Sequence, residues 1–408
     1  FSNGNGVKGS DPLFDELAKE VSAMSDFSTH EAMFFRLDTE TNCLYMIFVH
    51  STKRGQAQGG TRLKYEGYEK LEGAIMDGMR LSKGMTDKNS ISEIWWGGGK
   101  AVICPLTMDI FNEIDKHKME NKDKIYLNLD LRKSVFVNFG KFVASLGGIY
   151  IAAEDMNTKT TDMLTILSVC RFVTCLPPEV GGSANPSGWT AQGIFKSMLA
   201  TVMHFENKND LSGNTVNIQG LGNVGLPLAE LVLKSGARLN VYDTDAEAYE
   251  TLASYGDKVK AVSANEIYTI QSDIFAPCAI GGILNKDTIP LLNCRYVIGA
   301  ANNQLRDFDE DYKLLNARNI IYLPDFFINR MGIINCANEQ YGRLENDLKD
   351  EVEKVYSETL ELLADCDATS KTPQEVALKW ATEKGEILHP IWGHRSIQLL
   401  NNYIARTK

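Results

Sequence analysis

The sequence predicts an α/β protein of two domains, on three observations. Its 408 residues suit two or three domains of roughly 150 residues each. From about residue 186 to 335, short apolar runs alternate with helical segments, the pattern of a parallel sheet covered by helices. Inside that region a glycine-rich turn joins a strand to a helix, as in a doubly wound domain.

Taken in order, residues 1–10, rich in Gly, Asn and Ser, are expected to be a disordered lead-in. Leu13, Leu17 and Val21 recur every fourth residue and predict a helix over 11–24. Extended runs at 32–37 and 43–50, separated by Asp38-Thr39-Glu40-Thr41-Asn42, predict a hairpin. Leu71, Ile75 and Met79 form one stripe of a helix over 68–83, and the charge-rich stretch 107–135 reads as a solvated helix and loop. Further on come a helix over 190–204, a strand over 215–219, a helix over 226–235 and a strand over 238–243. Short strands follow at 272–276, 296–300 and 320–323, and the tail 372–408 is largely helical. These elements divide into a first domain over 11–178, completed by C-terminal helices over 356–408, and a second over 179–355.

Composition narrows the class. Hydrophobic residues make up 44% and charged residues 23%, as in an ordinary globular protein. The longest apolar run, Leu44 to Val49, is six residues, against roughly 20 for a membrane span. A net charge of −11 gives no attraction to nucleic acid or an anionic membrane surface. The eight cysteines are scattered; the closest pair, Cys170 and Cys175, has no second pair nearby, which argues against zinc. None of the six histidines has ligand spacing, so no metal is expected. With no signal-peptide pattern, the expectation is a reduced, cytoplasmic protein, with organellar targeting left open because the chain starts at Phe1.

Gly220-Leu221-Gly222-Asn223-Val224-Gly225 follows a predicted strand and opens a predicted helix, and Asp243 ends the next strand 18 residues after Gly225. That combination is a dinucleotide fingerprint: the glycines permit a tight turn and close approach of a pyrophosphate to the helix N-terminus. Asp243 suits the ribose hydroxyls and repels a 2′-phosphate, favouring NAD over NADP. A second glycine cluster, Gly97-Gly98-Gly99, precedes Lys100, twelve residues after Lys88. Glycines let backbone pack close to a ligand, and a lysine in a desolvated cleft loses basicity.

These blocks together resemble the glutamate/leucine/phenylalanine/valine type of amino acid dehydrogenase, nearest the leucine and phenylalanine branch. The resemblance is carried by Gly59-Gly60-Thr61-Arg62, Gly84-Met85-Thr86-Asp87-Lys88, Gly97-Gly98-Gly99-Lys100 and Ala153-Glu154-Asp155-Met156-Asn157-Thr158. It continues through Thr190-Ala191, the glycine fingerprint, Ala276-Pro277-Cys278-Ala279, Gly299-Ala300-Ala301-Asn302-Asn303 and Pro324-Asp325. It implies NAD-dependent, reversible oxidative deamination of an L-amino acid to a 2-oxo acid and ammonia. It also implies a substrate domain, a Rossmann domain, a cleft between them and a homo-oligomer.

By the resemblance, Lys88 holds the substrate carboxylate with help from backbone near Gly60. Lys100 is the base that activates water, Asp155 exchanges a proton with the amino group, and Asn302 hydrogen-bonds the substrate. Thr190, Ala276 and Asn303 contact cofactor. The physical logic agrees: a carboxylate needs a fixed cation, and a lysine becomes a base near neutral pH when buried beside another cation, here expected to be Lys88. On the residues alone, Asp155 is also readable as a helix cap and Asn302 as a turn residue. Gln58, Ala153, Ile333 and Cys336 are the pocket analogues; Ala153 and Ile333 favour an aliphatic side chain, with an aromatic one also open. Gln58 either faces solvent or meets a polar substrate atom.

Arg330-Met331 stands where the family has small residues, and Trp95-Trp96 precedes the glycine triplet, as core packing or pocket wall. Two further readings stay open: an enzyme of this scaffold turned to an unusual amino or 2-oxo acid, and a nucleotide-binding sensor without turnover.

Overall fold

A computed structural model describes residues 9, 15–24, 26–64, 68, 70–105, 129–342, 345–391, 398–402 and 405. The lead-in (except Gly9), the start of the first helix, most of the charged segment 107–135 and parts of the tail lie outside the described residues. The chain forms two compact units, Phe1–Ala184 with Ala381–Lys408, and Asn185–Trp380. Among the described residues no helix is long and apolar enough to cross a membrane.

The first unit is built on strands β1 (Ala32–Asp38), β2 (Cys43–Ser51), β3 (Ala57–Leu63), β4 (Gly97–Pro105) and β5 (Tyr150–Glu154), after a short helix α1 (Asp15–Ala23). Their order is β1-β2-β4-β3-β5. β1, β2 and β4 are antiparallel to one another in turn, while β3 runs parallel to β4 and β5. β4 is buried along nearly its whole length because both sheet faces are covered. On one face, helix α2 (Leu71–Ile91) sets Ala74, Ile75 and Met79 against Met46, Phe48 and Val102. On the other, Tyr45 meets Phe139 and Phe142 of helix α3 (Leu129–Ser145).

The second unit holds a six-stranded parallel sheet of β6 (Thr215–Gln219), β7 (Arg238–Tyr242), β8 (Val259–Ala261), β9 (Ile274–Pro277), β10 (Tyr296–Val297) and β11 (Ile321–Tyr322). The order is β11-β10-β9-β6-β7-β8. The chain winds outward one way from β6 and the other way from β9, so the carboxyl ends of these two neighbours form the topological switch point where such sheets bind ligands.

Two expectations change. The helix expected over 68–83 runs on to Ile91, because Gly84 meets no neighbour and the later turns pack on β4. The glycine triplet, to which the sequence assigns no element, opens strand β4. The second unit keeps the chain to Trp380 rather than handing it back at 356. The reason is packing: helix Glu345–Thr369 buries Val355, Thr359 and Leu362, and Thr359 meets Ser197 of helix Ser187–Glu206 at 3.3 Å.

Candidate active site

Strand alternation puts Gln58, Gly60 and Arg62 of β3 on the sheet face shared by Gly98 and Lys100 of β4. Lys100, 4% exposed, donates from Nζ to Asp155 Oδ2 at 2.8 Å. Arg62 Nε donates to the same oxygen at 3.1 Å. The turn after β5 fixes Asp155: its backbone N–H donates to Thr158 Oγ1 at 2.8 Å, and that hydroxyl donates to Thr61 O on β3. Asn157, at φ 62°, donates from Nδ2 to Leu63 O. Asp155 does not cap a helix; the next one starts at Thr160 behind Lys159.

The electrostatics follow from this cluster. Burial lowers the pKa of Lys100; Arg62 lowers it further, and Asp155 opposes both. Burial pushes Asp155 up, but the charges and hydrogen bonds of Lys100 and Arg62 outweigh it and hold the carboxyl at about 2. The cation pressing on Lys100 is therefore Arg62, where the sequence reading placed Lys88. Lys88 stands in the last turn of α2, half-buried.

Gly60, Gly98 and Gly99 are each required by packing. A Cβ on Gly60 would lie 2.6 Å from Asp155 Cβ, so its missing side chain is the space Asp155 occupies. A Cβ on Gly98 would meet Thr86 Oγ1 at 2.0 Å, and one on Gly99 the Tyr150 ring at 2.9 Å. Gly98 lets α2 lie close on β4, which fixes the helix turn that carries Lys88.

In the second unit each fingerprint glycine has its own reason. Gly220 has φ +100°, and its Cβ would strike Ala279 N at 2.8 Å. Gly225's would strike Gly220 O at 1.9 Å, so helix Gly225–Lys234 sits tight on the turn. Gly222 has nothing within 4 Å, and Asn223 and Val224 lead on from it to that helix. Asp243 Oδ2 accepts from Leu221 N at 2.6 Å, tying the acid after β7 to the glycine turn. Ala276 is buried in β9 beside this turn. A dinucleotide fits: open space above Gly222, a helix N-terminus behind it and a fixed carboxylate at the next strand's end.

Thr190, Asn302 and Asn303 gather around the chain from 325 to 332. Asn303 (φ 52°) donates its N–H to Asp325 Oδ2 at 2.8 Å. Asn329 Nδ2 donates to Asn302 Oδ1 at 2.9 Å and to Ala300 O, which makes Asn302 more than a turn residue. A Cβ on Gly332 would lie 2.9 Å from Thr190 Oγ1. Ile333 and Cys336 are buried one turn apart on helix Met331–Tyr341.

The divergent residues resolve differently. Arg330, 2% exposed, pairs with Glu358, donates to Phe327 O and lies 4.5 Å over the Phe327 ring. Met331 packs on Gly193. Both are explained by packing within the second unit. Trp96 is core, and Trp95 lies between Arg54 and His389. Ala153 is buried on β5. Gln58 is fully buried, so the solvent option is gone, and neither of its amide atoms has a hydrogen-bond partner among the described residues.

Sequence reasoning assigned no role to Arg62, Asp77, Asp325 or Asn329. Arg62 was visible in principle, since alternation from Gly60 places it on the Lys100 face. Asp77 breaks the apolar run 74–79 on the buried side of α2, a signal of a paired carboxylate.

A buried lysine paired to a fixed carboxylate in one unit and a dinucleotide turn in the other define a class, the amino acid dehydrogenases among the oxidoreductases, and comparison with known proteins agrees. Residues 37–171 match the family described as Glu/Leu/Phe/Val dehydrogenase, dimerisation domain, and residues 237–372 match Glutamate/Leucine/Phenylalanine/Valine dehydrogenase. Leucine dehydrogenase of Geobacillus stearothermophilus is 36% identical over 80% of this chain and 83% of its own length. Phenylalanine dehydrogenase of Lysinibacillus sphaericus is 36% identical over 82% of this chain and 83% of its own. The crystal structure of L-tryptophan dehydrogenase from Nostoc punctiforme superposes with a TM-score of 0.70 at 30% identity, covering 94% of this chain and 99% of that one. The chain belongs to the glutamate/leucine/phenylalanine/valine dehydrogenase family.

Proposed function

We propose that this protein is an NAD-dependent dehydrogenase that deaminates a neutral L-amino acid to its 2-oxo acid and ammonia. The observation that carries the reading is the buried Lys100–Asp155 pair, with Lys100 below the ordinary lysine range and Asp155 anionic. The first unit is the substrate half and the second the dinucleotide half.

Lys88 holds the substrate carboxylate as a fixed cation, beside backbone at Gly60. Asp155 takes up and returns a proton at the amino nitrogen. Lys100, its pKa lowered by burial and by Arg62, acts in its neutral form and takes a proton from the water that attacks the carbon bearing that nitrogen. Asn302 donates a hydrogen bond to the substrate, its side-chain oxygen being occupied by Asn329. Bound NAD supplies the hydride acceptor. Gly220, Gly222, Asn223, Val224 and Gly225 take its pyrophosphate, Thr190, Ala276 and Asn303 its nicotinamide half, and Asp243 its ribose hydroxyls, which disfavours a 2′-phosphate. The match of residues 37–171 to a dimerisation domain supports a homo-oligomer.

Ala153 and Ile333 support an aliphatic side chain. The buried amide of Gln58 favours a second reading, a substrate whose side chain carries a hydrogen-bonding group, since an unmet amide costs about 1–3 kcal/mol. NADH formation with the twenty L-amino acids and with NAD or NADP tests both. Turnover with NAD on aliphatic residues supports the first; preference for an amide, hydroxyl or indole side chain supports the second. A flat panel sinks the proposal.

A further inference from the structure

Asp155 receives two cations on one oxygen. Lys100 Nζ and Arg62 Nε both donate to Oδ2, while Oδ1 accepts no hydrogen bond among the described residues. Arg62 is itself held: Nη1 donates to Asp77 of α2 at 3.0 and 3.3 Å, and Tyr68 Oη donates to Asp77 Oδ2 at 2.6 Å. The charged groups acting on Lys100 are Asp155 after β5, Arg62 on β3 and Asp77 on α2.

This arrangement meets a difficulty in the chemistry. A buried lysine beside a carboxylate, left alone, settles as an ion pair, and a protonated lysine accepts nothing from water. A guanidinium cannot lose its proton, so it stays as counter-ion to the carboxylate when the lysine is neutral. Its bond also occupies Oδ2, leaving Oδ1 as the oxygen open to a substrate amino group.

We infer that Arg62, clamped by Asp77, is a positioning residue for the reaction: it is the permanent counter-ion of Asp155, which frees Lys100 to act as a base and reserves Asp155 Oδ1 for proton exchange. The inference rests on the functional reading above and goes beyond it, since Arg62 touches neither reacting carbon nor water in that scheme.

The test is the pH dependence of kcat/KM for NADH formation in Arg62→Gln, Arg62→Lys and Asp77→Asn. Removing the guanidinium raises the pKa of both Lys100 and Asp155. The limb of the profile that rises with pH therefore moves alkaline in Arg62→Gln, by roughly one unit for a charge this close. Activity near neutral pH falls about tenfold and recovers at high pH. Arg62→Lys restores the charge and returns the limb toward wild type. Asp77→Asn removes a negative charge instead, so its limb stays or moves acid.

A uniform loss across pH with an unmoved limb in Arg62→Gln overturns the inference, as does an alkaline limb in Asp77→Asn; the latter serves if Arg62→Gln does not fold. If wild type forms no NADH with any amino acid, the functional reading has failed and melting temperature decides the placement of charge. A lysine whose folded pKa lies below its unfolded one binds fewer protons folded, so stability rises with pH up to the ordinary lysine range. Wild type should gain more than Arg62→Gln between pH 6 and pH 10 (a window that runs from below neutrality toward the roughly 10.4 of free lysine); equal gains overturn the inference.

Discussion

Replacing Gly98 by alanine probes how the sheet of the first unit holds its helix. The new Cβ would lie 2.0 Å from Thr86 Oγ1, 2.3 Å from Thr86 N and 2.6 Å from Ser82 O. Two of the three are backbone of α2, so no rotamer change relieves the clash and the helix must back away. It is pinned nearby, since Gly78 sits against the Phe48 ring and His50 Nδ1 bonds Thr86 Oγ1 at 2.7 Å. Overpacking costs about 1–3 kcal/mol, and a lost buried hydrogen bond about 1 more, so the expected loss is about 3 kcal/mol. Urea unfolding followed by tryptophan fluorescence, which Trp95 and Trp96 of this unit report, measures it. Because Lys88 rides on the same helix, KM for the amino acid should rise as well. Gly84→Ala is the control: same helix, open space, and an expected gain of up to about 1 kcal/mol from helix propensity. Equal stability of Gly98→Ala and wild type, with KM unchanged, would refute the reasoning.

Other outcomes follow from the same geometry. Gly222→Ala should leave stability within about 0.5 kcal/mol, because nothing stands near its Cβ, yet weaken dinucleotide binding tenfold or more in a fluorescence titration with NADH. Glu358→Ala should cost about 2–3 kcal/mol in urea by leaving the buried Arg330 guanidinium without its carboxylate, with kcat little changed. Asp155, held at about 2 in the fold against 3.8 as the ordinary value, contributes stability that is fully present above pH 4 and lost as pH falls toward 2. The gap in stability between wild type and Asp155→Asn should therefore be about 2 kcal/mol at pH 6, fall to roughly half of that at pH 3 and close toward pH 2; a gap independent of pH would count against the ion pair.

The second unit was the more legible half. Its glycine turn, strand and acid work within a single strand–helix–strand unit, so spacing alone places Gly220 and Asp243 together, and the Leu221–Asp243 bond joins them. In the first unit the partners are far apart in sequence. Lys100, Asp155, Arg62 and Asp77 meet only through strand order β4-β3-β5 and the helix laid across it. The resemblance supplied Lys100 and Asp155 but no charge partner, and the reading chose Lys88 because it was the nearest quoted cation. The triplet 97–99 carries no strand signal in the sequence, because glycine is a poor strand former. It is strand because Thr86, Ser51 and Tyr150 crowd it from the helix and the sheet.

Product stoichiometry tests the central claim most directly. Ammonia, 2-oxo acid and NADH are measured together on the amino acid turned over fastest, with Lys100→Ala alongside. The account predicts one ammonia and one 2-oxo acid per NADH, and no turnover in the variant. NADH formed without ammonia, or full activity lacking the Lys100 amine, would contradict it.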